Sequence, residues 1–357
     1  MATDWKTVAL TCGLICLCFV AVPIRFDKPS SQSSFSLFQS YLRRFNKTYN
    51  ATEFENRFAK FQETLRFIDE LNSERTSNDS ARYGLTEFSD MSREEFLDHK
   101  LQRHLHKHMH NHKSHQHDKD GKKHESHSNH VKRRSLDGLP DLVDWRSKGV
   151  VGAVRNQKTC GACWAFSTVE TVESMAAMKT GSVQVLSVQE IIDCAGNGNL
   201  GCNGGDTCSL LDWLVYNNIA IEPEKQYPLN WKTNVCKLKG PEEGVRVASN
   251  YTCSYLVGRE ESLVSLLANH GPVVVAVNAL TWQHYLGGVV QFHCDGAPEH
   301  INHAVQIVGY DRTASIPHYI VRNSWGTAFG DNGYLYLAMG SNMCGVGTEV
   351  ASLDVIL

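Results

Sequence analysis

A histidine-rich stretch separates the N-terminal from the C-terminal part of this chain of 357 residues. Between His99 and His130 there are eleven histidines, interleaved with Lys, Ser and Asn and with almost no apolar side chains. Such a stretch cannot bury enough surface to offset the entropy of ordering it, so we predict a disordered linker over residues 99–135. Near its end, Lys132-Arg133-Arg134 forms a basic cluster that is a candidate processing site.

The histidines leave two other interpretations open. The ordinary pKa of histidine is about 6.5, so acidification charges the linker, which can then act as a pH switch. Imidazoles also bind zinc, copper or nickel, as in a metal-binding protein, but no fixed ligand spacing stands out here. We therefore predict neither a metal site nor a cofactor.

The N-terminal third is basic and the remainder is acidic. Residues 1–135 contain 22 Lys and Arg against 17 Asp and Glu, whereas residues 136–357 contain 13 against 21. Opposite charges attract the two parts to each other, as expected of a basic segment that covers an acidic body. The acidic body carries no nucleic-acid-binding signature, which argues against a nucleic-acid partner.

The N-terminus is typical of a secretory signal peptide. One lysine precedes an apolar run of about 15 residues from Val8 to Val22, which is shorter than the roughly 20 residues needed to span a bilayer. We predict a signal peptide over residues 1–22, with a signal anchor as the alternative, and no stable membrane insertion of the mature chain. The secretory route implies a lysosomal or secreted protein.

Cysteine usage agrees with export. Nine cysteines remain after the leader, which implies up to four disulfides and one odd thiol. Four Asn-x-Ser/Thr sequences are candidate glycosylation sites on the same route: Asn46, Asn50, Asn78 and Asn250.

Hydrophobic periodicity separates helical regions from strand-forming ones. Residues 35–98 have a helical pattern, with a capping box at Ser92 and a short extended segment over 83–88. In the C-terminal body, helices are predicted over residues 163–178, 188–193 and 206–216. Strands are predicted after them, over residues 272–277, 304–310, 318–322 and 333–338. Helices followed by strands predict an α+β body rather than alternating βαβ units.

The stretch from Gln157 to Phe166, QKTCGACWAF, carries the candidate nucleophile. A thiol attacks a carbonyl as the thiolate, and its pKa falls at a helix N-terminus beside an imidazolium. Cys163 lies where the helical pattern begins, so the helix dipole favours its negative charge. His303 follows 140 residues later and Asn323 follows 160 residues later, which suits a Cys–His–Asn arrangement.

This stretch resembles the papain family of cysteine proteases, as do three further motifs: Asp144-Trp145-Arg146, Gly201-Cys202-Asn203-Gly204-Gly205 and Asn323-Ser324-Trp325-Gly326. The resemblance runs from about residue 35 to the C-terminus and is interrupted by the histidine-rich linker. It implies a papain-like α+β fold of two domains over residues 139–357. A helical left domain (about 139–249) and a β-barrel-like right domain (about 250–357) are expected on either side of an active-site cleft.

The upstream helix is similar to the family's inhibitory prosegment. Five of the six residues of the prosegment's helical motif are kept, with Thr64 in place of one Asn: Glu53, Arg57, Phe61, Ile68 and Asn72. The following motif is kept at Gly84, Phe88 and Asp90, with Thr86 in place of Asn. The resemblance implies that residues 35–98 are a helical propeptide that inhibits its own enzyme.

The resemblance also implies the roles of the catalytic residues. Cys163 is the expected nucleophile, and His303 is the general base and acid that takes the thiol proton and returns it to the leaving amine. Asn323 orients the imidazole, Trp325 shields that hydrogen bond, and Gln157 donates to the oxyanion. The implied reaction is peptide-bond hydrolysis through an acyl-enzyme, by an endopeptidase made as an inactive precursor for lysosomal-type protein degradation.

The residues that contact substrate are likewise implied by the resemblance. Those lining the cleft are Gly161, Gly204, Gly205 and Asn302. Five more form the pocket for the side chain two residues before the cut, here called the specificity pocket: Asp206, Thr207, Ala276, Ala304 and Glu349. Two carboxylates favour a basic side chain by charge pairing, so we hypothesise that Arg or Lys is accepted there.

The family's disulfides pair Cys160 with Cys202, Cys194 with Cys236, and Cys294 with Cys344. Cys208 and Cys253 lie outside this set. Parity suggests a fourth bridge between them, and two free buried thiols are the alternative.

A catalytically dead relative that acts as a binding or inhibitory protein is the main rival interpretation. It predicts a damaged catalytic set, whereas this set is intact in the sequence. The expected partners are polypeptide substrates, the chain's own propeptide and cystatin-type inhibitors, and the enzyme is expected to be a monomer.

Overall fold

The structure is a computed structural model that describes residues 31–102, 138–238 and 243–357. The predicted signal peptide, the linker from residue 103 onward and its basic cluster lie outside the described residues. The chain divides into two compact units, one ending at Phe58 and the other running from Ala59 to Leu357. No helix in the described ranges is long and apolar enough to cross a membrane.

In the first unit, two helices pack through aromatic side chains. Helix α1 spans Ser31–Arg44, and helix α2 spans Ala51–Ser73 and continues into the second unit. Phe38 is fully buried, and its ring centroid lies 5.2 Å from that of Phe54 and 5.3 Å from that of Phe58. Tilted and edge-on ring contacts of this kind give the helix pair a small apolar core.

The second unit begins with the end of α2, which is tied to strand β1 (Arg82–Tyr83) by one side chain. Asn72 donates to the Tyr83 carbonyl at 2.9 Å and accepts from the Tyr83 N–H at 3.0 Å. Strand β1 in turn pairs antiparallel with strand β7 (Tyr285–Gly287) of the body. Residues of the predicted propeptide are therefore built into the same hydrogen-bonded unit as the body.

Helix α3 (Arg93–Lys100) begins at the predicted capping box. The Ser92 hydroxyl accepts from the Glu95 backbone N–H at 3.2 Å, and the Glu95 carboxylate accepts from the Ser92 backbone N–H at 2.9 Å. These two bonds satisfy backbone donors that the first turn would otherwise leave unpaired. The helix ends two residues before the described segment stops at residue 102. The prediction of a disordered linker from residue 99 onward is therefore wrong for residues 99–102, which the helix and the burial of Lys100, Leu101 and Gln102 keep ordered.

A buried helix forms the centre of the helical part. Helix α4 spans Cys163–Thr180, and every residue from Cys163 to Ala177 is buried. It ends at Gly181, whose φ of 81° is the left-handed conformation that glycine adopts without strain. Helices α5 (Val188–Cys194) and α6 (Thr207–Tyr216) contact it.

The strand-rich part is an eight-stranded sheet with the order β5-β12-β6-β9-β10-β11-β8, in which β2 also pairs with β9. The strands span Leu142–Asp144 (β2), Thr252–Ser254 (β5), Val273–Val277 (β6), Val289–Val290 (β8), His303–Asp311 (β9), His318–Arg322 (β10), Tyr334–Ala338 (β11) and Glu349–Ser352 (β12). Among the described strands, no pairing of β5 with β8 closes the sheet into a barrel. Three more short strands form a separate sheet: Ala220–Ile221 (β3), Val245–Val247 (β4) and Val355–Ile356 (β13).

The α+β class predicted from the sequence is confirmed, with mostly small shifts in element ends. The predicted extended segment over 83–88 is an exception, because only β1 is a strand and a turn follows at residues 87–90. Helix α7 (Glu260–Asn269) was not predicted in the strand-rich part. Short strands such as β3 and β5 carry too few residues for an alternating pattern to reveal them.

Buried polar groups join α4 to strands β9 and β10. A carboxylate oxygen of Glu170 on α4 lies 3.3 Å from the Arg322 guanidinium on β10 and 3.7 Å from that of Arg155. Gln306 on β9 donates to the Glu170 carbonyl at 3.1 Å and to the Ser174 hydroxyl at 3.0 Å. These contacts fix how the helix lies along the sheet, because breaking one leaves a buried charge or amide without its partner.

Candidate active site

The candidate nucleophile is the first residue of helix α4. Cys163 is fully buried and is the free cysteine of the described residues, whereas the other described cysteines are paired. The N-terminus of α4 directs the positive end of its dipole at this sulfur. Local sequence therefore supplies both the thiol and a field that favours its charged form.

The candidate base lies at the start of strand β9, next to the residue whose backbone contacts this sulfur. His303 is the first residue of β9, and the backbone N–H of the next residue, Ala304, donates a hydrogen bond to the Cys163 thiol. Nδ1 of His303 is buried and has no hydrogen-bond partner among the described residues. The fold thus brings the two candidate residues together from sequence positions 140 residues apart.

Asn323 and two tryptophans hold the imidazole. The Asn323 Oδ1 atom lies 2.8 Å from Nε2 of His303. Since Oδ1 also accepts from the Ser324 N–H at 2.8 Å, it is assigned as the acceptor, which places a proton on Nε2 and leaves Nδ1 as an acceptor. The ring centroids of Trp325 and Trp282 lie 4.9 and 6.0 Å from that of His303, so these rings exclude water from the contact.

Gln157 is oriented by a residue that the sequence analysis did not single out. Its Oε1 atom accepts from the Ser324 hydroxyl at 2.6 Å. Its Nε2 atom consequently points inward, where it donates to the carbonyls of Cys160 at 3.1 Å and Lys100 at 3.2 Å. The only sequence signal for Ser324 is its position between Asn323 and Trp325.

The cleft is occupied by residues 100–102, which follow helix α3. The Gln102 carboxamide donates from Nε2 to the Cys163 sulfur at 3.1 Å and to the Gly161 carbonyl at 3.3 Å. Its Oε1 atom accepts from the Gly205 N–H at 3.2 Å, and its backbone N–H donates to the Asn302 carbonyl at 2.8 Å. One buried residue therefore takes up the hydrogen-bonding groups of the cleft.

Because residues 100–102 cover the site, the pKa of the Cys163 thiol is raised and not lowered. The sequence analysis expected a lowered Cys163 pKa, but burial raises the pKa of this thiol to about 11, against smaller opposing effects of hydrogen bonds from Ala304 and Gln102. Burial, together with the nearby charge of Lys100, lowers the pKa of His303 to about 4, although Asn323 acts in the opposite direction. In this covered state the thiol and the imidazole are both neutral near pH 7.

The glycines of the cleft allow close approach of a backbone. Gly204 has a φ of 114°, and a Cβ atom on Gly205 would lie 2.4 Å from the Asn199 side chain and 2.5 Å from Trp164. A Cβ atom on Gly161 would lie 2.7 Å from the Cys202 carbonyl. Side chains are therefore excluded at these positions, and the Gly205 N–H stays accessible to an acceptor.

Strand pairing places three residues of the predicted specificity pocket side by side. Glu349 on β12 pairs with Ala276 on β6, and Ala276 pairs with Ala304 on β9. The Thr207 hydroxyl at the start of α6 donates to the Glu349 carboxylate at 2.5 Å. Asp206 lies beside Thr207, but its Oδ1 atom caps α6 by accepting from the Ser209 N–H at 2.6 Å.

Four disulfides link eight of the nine described cysteines. The structure contains Cys160–Cys202, Cys194–Cys236 and Cys294–Cys344, together with the bridge Cys208–Cys253 suggested by parity. In the described ranges there is no group of three or more His, Cys, Asp or Glu residues that could hold a metal ion. The linker histidines from His104 onward lie outside those ranges.

The profile of the Papain family cysteine protease matches residues 139–353, and that of the Cathepsin propeptide inhibitor domain (I29) matches residues 38–96. The chain belongs to the papain family of cysteine proteases, and it carries the family's inhibitory propeptide.

Relatives and solved structures agree with this assignment. Human Cathepsin O is 44% identical over 218 residues, which is 61% of this chain and 67% of the relative. Cysteine proteinase 2 of Zea mays is 34% identical over 87% of this chain and 82% of its own length. Three segments of this chain also resemble cathepsin O within the family, at residues 154–157, 282–288 and 339–342.

The most informative solved structures are precursors. The proform of the ragweed pollen cysteine protease Amb a 11 has a TM-score of 0.76 and 26% identity, over 91% of this chain and 94% of that chain. Digestive procathepsin L2 of Tenebrio molitor has a TM-score of 0.73 and 28% identity, over 90% and 99%. These similarities cover the propeptide as well as the peptidase, which agrees with intramolecular inhibition.

Replacing Gln102 by Glu in the precursor should expose the thiol. The carboxylate cannot donate to the Cys163 sulfur or the Gly161 carbonyl, and lost buried hydrogen bonds of this kind are worth about 1–3 kcal/mol. We expect iodoacetamide to alkylate Cys163 about tenfold faster at pH 7. The control is Gln39→Glu, which makes the same change at an exposed position of the propeptide. Equal alkylation rates in the two variants would show that Gln102 does not cover the thiol.

Proposed function

We propose that the chain is the precursor of an endopeptidase in which Cys163 attacks the peptide carbonyl and His303 transfers the protons. The observation that supports this most directly is the arrangement of the site: a free thiol at a helix N-terminus accepts a hydrogen bond from the residue after His303, and Asn323 holds Nε2 of that histidine at 2.8 Å. The proposed mature enzyme comprises about residues 139–357. The proposed precursor segments are the signal peptide (1–22), the propeptide (35–98) and the linker (99–135), of which residues 100–102 cover the cleft as a continuation of the propeptide.

The proposed reaction begins when the propeptide leaves the cleft. With water admitted, burial no longer disfavours charge, and the thiol proton passes to Nδ1 of His303. The thiolate bonds to the carbonyl carbon, and the C=O electron pair moves to oxygen. When the C–N bond breaks, His303 returns its proton to the leaving amine and an acyl-enzyme remains. Water then attacks the acyl-enzyme, with His303 as base, and the acid product and free thiol result.

The negative oxygen formed in these steps needs two donors. The Gln157 Nε2–H and the Cys163 backbone N–H are proposed to supply them, each worth about 2.7–4 kcal/mol. In the covered state, Nε2 already donates to a peptide carbonyl, that of Lys100, at 3.2 Å. This contact supports the assignment, because it offers the same donor to the same kind of atom.

The position of residues 100–102 in the cleft also supports cleavage of a substrate polypeptide at internal bonds rather than at its ends. These residues enter the cleft from α3, where the Lys100 carbonyl accepts from Gln157 and Gln102 contacts Asn302 through its main chain and Gly205 through its side chain. A cleft that accepts consecutive residues of a polypeptide through their main-chain groups suits an endopeptidase. Its proposed substrates are polypeptides, with no cofactor.

The remaining proposals concern the setting of the enzyme. A lysosomal or secreted location follows from the predicted signal peptide, and protein degradation in an acidic compartment fits the family. The four glycosylation candidates are all exposed, as attachment of a glycan requires: Asn46, Asn50, Asn78 and Asn250. A monomeric enzyme and inhibition by cystatin-type proteins that enter the cleft complete the proposal.

A buried histidine supports activation by acid. His284 is 1% exposed, because the propeptide covers it: Ser89 Oγ lies 3.4 Å from Nδ1, and the Phe67 ring centroid lies 6.1 Å from its own. Burial, and secondarily the charge of Arg93, lowers its pKa to about 3. Next to it, Gln283 donates to two propeptide carbonyls, those of Phe88 and Met91.

The coupling between protonation of His284 and release of the propeptide gives the direction of the pH dependence. Once the propeptide leaves, His284 regains an ordinary pKa near 6.5, so the released state binds a proton that the covered state excludes. The histidine therefore has almost no effect on release above about pH 6.5 and favours it increasingly as the pH falls from there toward 3, by about 1.4 kcal/mol per pH unit.

Replacing His284 by Gln should therefore weaken acid activation. Between pH 7 and pH 5 the activation rate of the precursor is expected to rise about tenfold less than in the natural chain. The measurement is the rate at which the precursor gains activity in buffers from pH 4.5 to 7.5. His270→Gln, which removes a histidine paired with Asp354, is the control and should follow the natural profile. An identical profile for His284→Gln would rule out this group as a sensor.

Covalent trapping tests the proposed nucleophile. After acid activation, an epoxide directed at cysteine proteases should label one residue, Cys163, and abolish peptide hydrolysis. Cys163→Ala should remove labelling and lower kcat/KM by about 10³-fold or more, with an unchanged thermal unfolding midpoint. Retained hydrolysis by Cys163→Ala, or label found on another residue, would contradict the mechanism.

The specificity pocket is tested by peptides with Arg, Leu or Phe two residues before the cut. Because Glu349 offers a carboxylate that is 7% exposed, we propose that Arg is cleaved at least as well as Leu or Phe. Glu349→Gln should lower kcat/KM for the Arg peptide about tenfold and leave that for the Leu peptide nearly unchanged. Glu243→Gln removes an exposed carboxylate and is the control. A steep preference of the natural enzyme for Phe would end the proposal of a basic pocket.

A further inference from the structure

We propose that the disulfide Cys208–Cys253 is a positioning element that sets the selectivity of the specificity pocket. The inference rests on the proposed function, since the pocket is that of the proposed peptidase. It concerns the bridge that lies outside the family's three pairs.

This bridge is placed differently from the other three. Of the four disulfides between described residues, it alone joins the helical segment 139–249 to the strand-rich segment 250–357. Two of the others lie within the first segment and one lies within the second. Cys208–Cys253 is therefore the covalent link between the parts that contribute opposite sides of the pocket.

On the helical side, the bridge is attached next to the pocket. Cys208 is the second residue of α6 and directly follows Thr207, whose hydroxyl contacts Glu349. Cys208 is 3% exposed, and the cap from Asp206 to Ser209 holds the same turn. Because this turn is both capped and buried, a restraint on Cys208 is passed directly to Thr207.

On the strand side, the bridge is attached to β5, which pairs with the strand that carries Glu349. Cys253 is the middle residue of β5 and pairs with Ala351 of β12, two residues after Glu349. Strand β5 has three residues and lies at the end of the sheet order, so it has a strand partner on one side only. The disulfide ties this outer strand to the start of α6.

These links close a ring around the edge of the pocket. The ring runs from Thr207 to Cys208, across the disulfide to Cys253, across the strand pair to Ala351, and along β12 to Glu349. The 2.5 Å hydrogen bond from Thr207 to the Glu349 carboxylate completes it. With the covalent link in place, the carboxylate is held at a set distance from the opposite side of the pocket.

A fixed carboxylate matters more for a charged substrate side chain than for an apolar one. A charge-assisted hydrogen bond from Arg needs a donor–acceptor distance near 2.7–2.9 Å, whereas a Leu side chain tolerates a wider or shifted pocket. Loss of the bridge should therefore lower cleavage after Arg relative to Leu at the position two before the cut. The thiol and imidazole contacts lie outside this ring.

The test removes the bridge by the paired changes Cys208→Ala and Cys253→Ala. The ratio of kcat/KM for the Arg peptide to that for the Leu peptide should fall about tenfold, while the rate of Cys163 alkylation stays within about twofold of the natural enzyme. The matched control removes Cys194–Cys236 by the same changes, since it closes a loop of 42 residues against 45. A bridge that only stabilises the fold lowers the unfolding midpoint in both variants without changing the ratio.

A ratio that is unchanged, or that falls equally in the control, overturns the inference. If the alanine variant does not fold, Cys208→Val with Cys253→Ala fills the volume of the sulfur atoms and serves the same test. Amide hydrogen exchange in the precursor provides a measurement that needs no activity. Exchange at residues 207–209 and 349–351 should rise only without Cys208–Cys253, and unchanged exchange overturns the inference. An activated natural enzyme that cleaves neither peptide refutes the proposed function, and the exchange result still decides the role of the bridge.

Discussion

The active site depends on the buried polar contacts that hold helix α4 against the sheet. Glu170 and Ser174 lie two and three helical turns after Cys163, and they bind Gln306, which lies on the same strand as His303. Arg322, one residue before Asn323, reaches the same glutamate. One cluster therefore sets the positions of the helix and of the two strands that carry the reactive residues. Since these groups cannot be hydrated in place, sliding of the helix along the sheet is costly.

The Cys163 thiol and the His303 imidazole are unreactive while the propeptide is present. Residues 100–102 exclude water from the thiol and the imidazole, and exclusion of water favours the neutral form of both groups. The same residues hold the donors that an oxyanion would need, namely the Gln157 amide and the cleft N–H groups. Inhibition therefore acts on the ionisation of the nucleophile as well as on access to it. In the proposed activation, acid weakens the cover through His284, which is covered by other parts of the propeptide than residues 100–102.

Most of the site's composition could be predicted from the sequence, but its covered state could not. The motif around Cys163, the spacing to His303 and the cap at Ser92 are local patterns, and the structure places them where those patterns indicate. The covering role of Gln102 depends on the path of the chain after α3, which no local pattern specifies. The raised thiol pKa has the same origin, since burial by a distant segment outweighs the helix dipole. Ser324 orients Gln157 across 167 residues and was missed because serine has no distinctive pattern there.

The Gln102 carboxamide on the Cys163 sulfur has a consequence for how the chain acquires its disulfides. Eight cysteines must find their partners in an oxidising compartment while a ninth stays unpaired. Thiol–disulfide exchange proceeds through the thiolate, and a thiol with a pKa of about 11 is almost entirely protonated there. Because the Cys163 sulfur is shielded and protonated, it reacts slowly with the four disulfides and rarely exchanges with them. The segment that postpones proteolysis thus also protects the oxidative maturation of the protein on which that proteolysis depends.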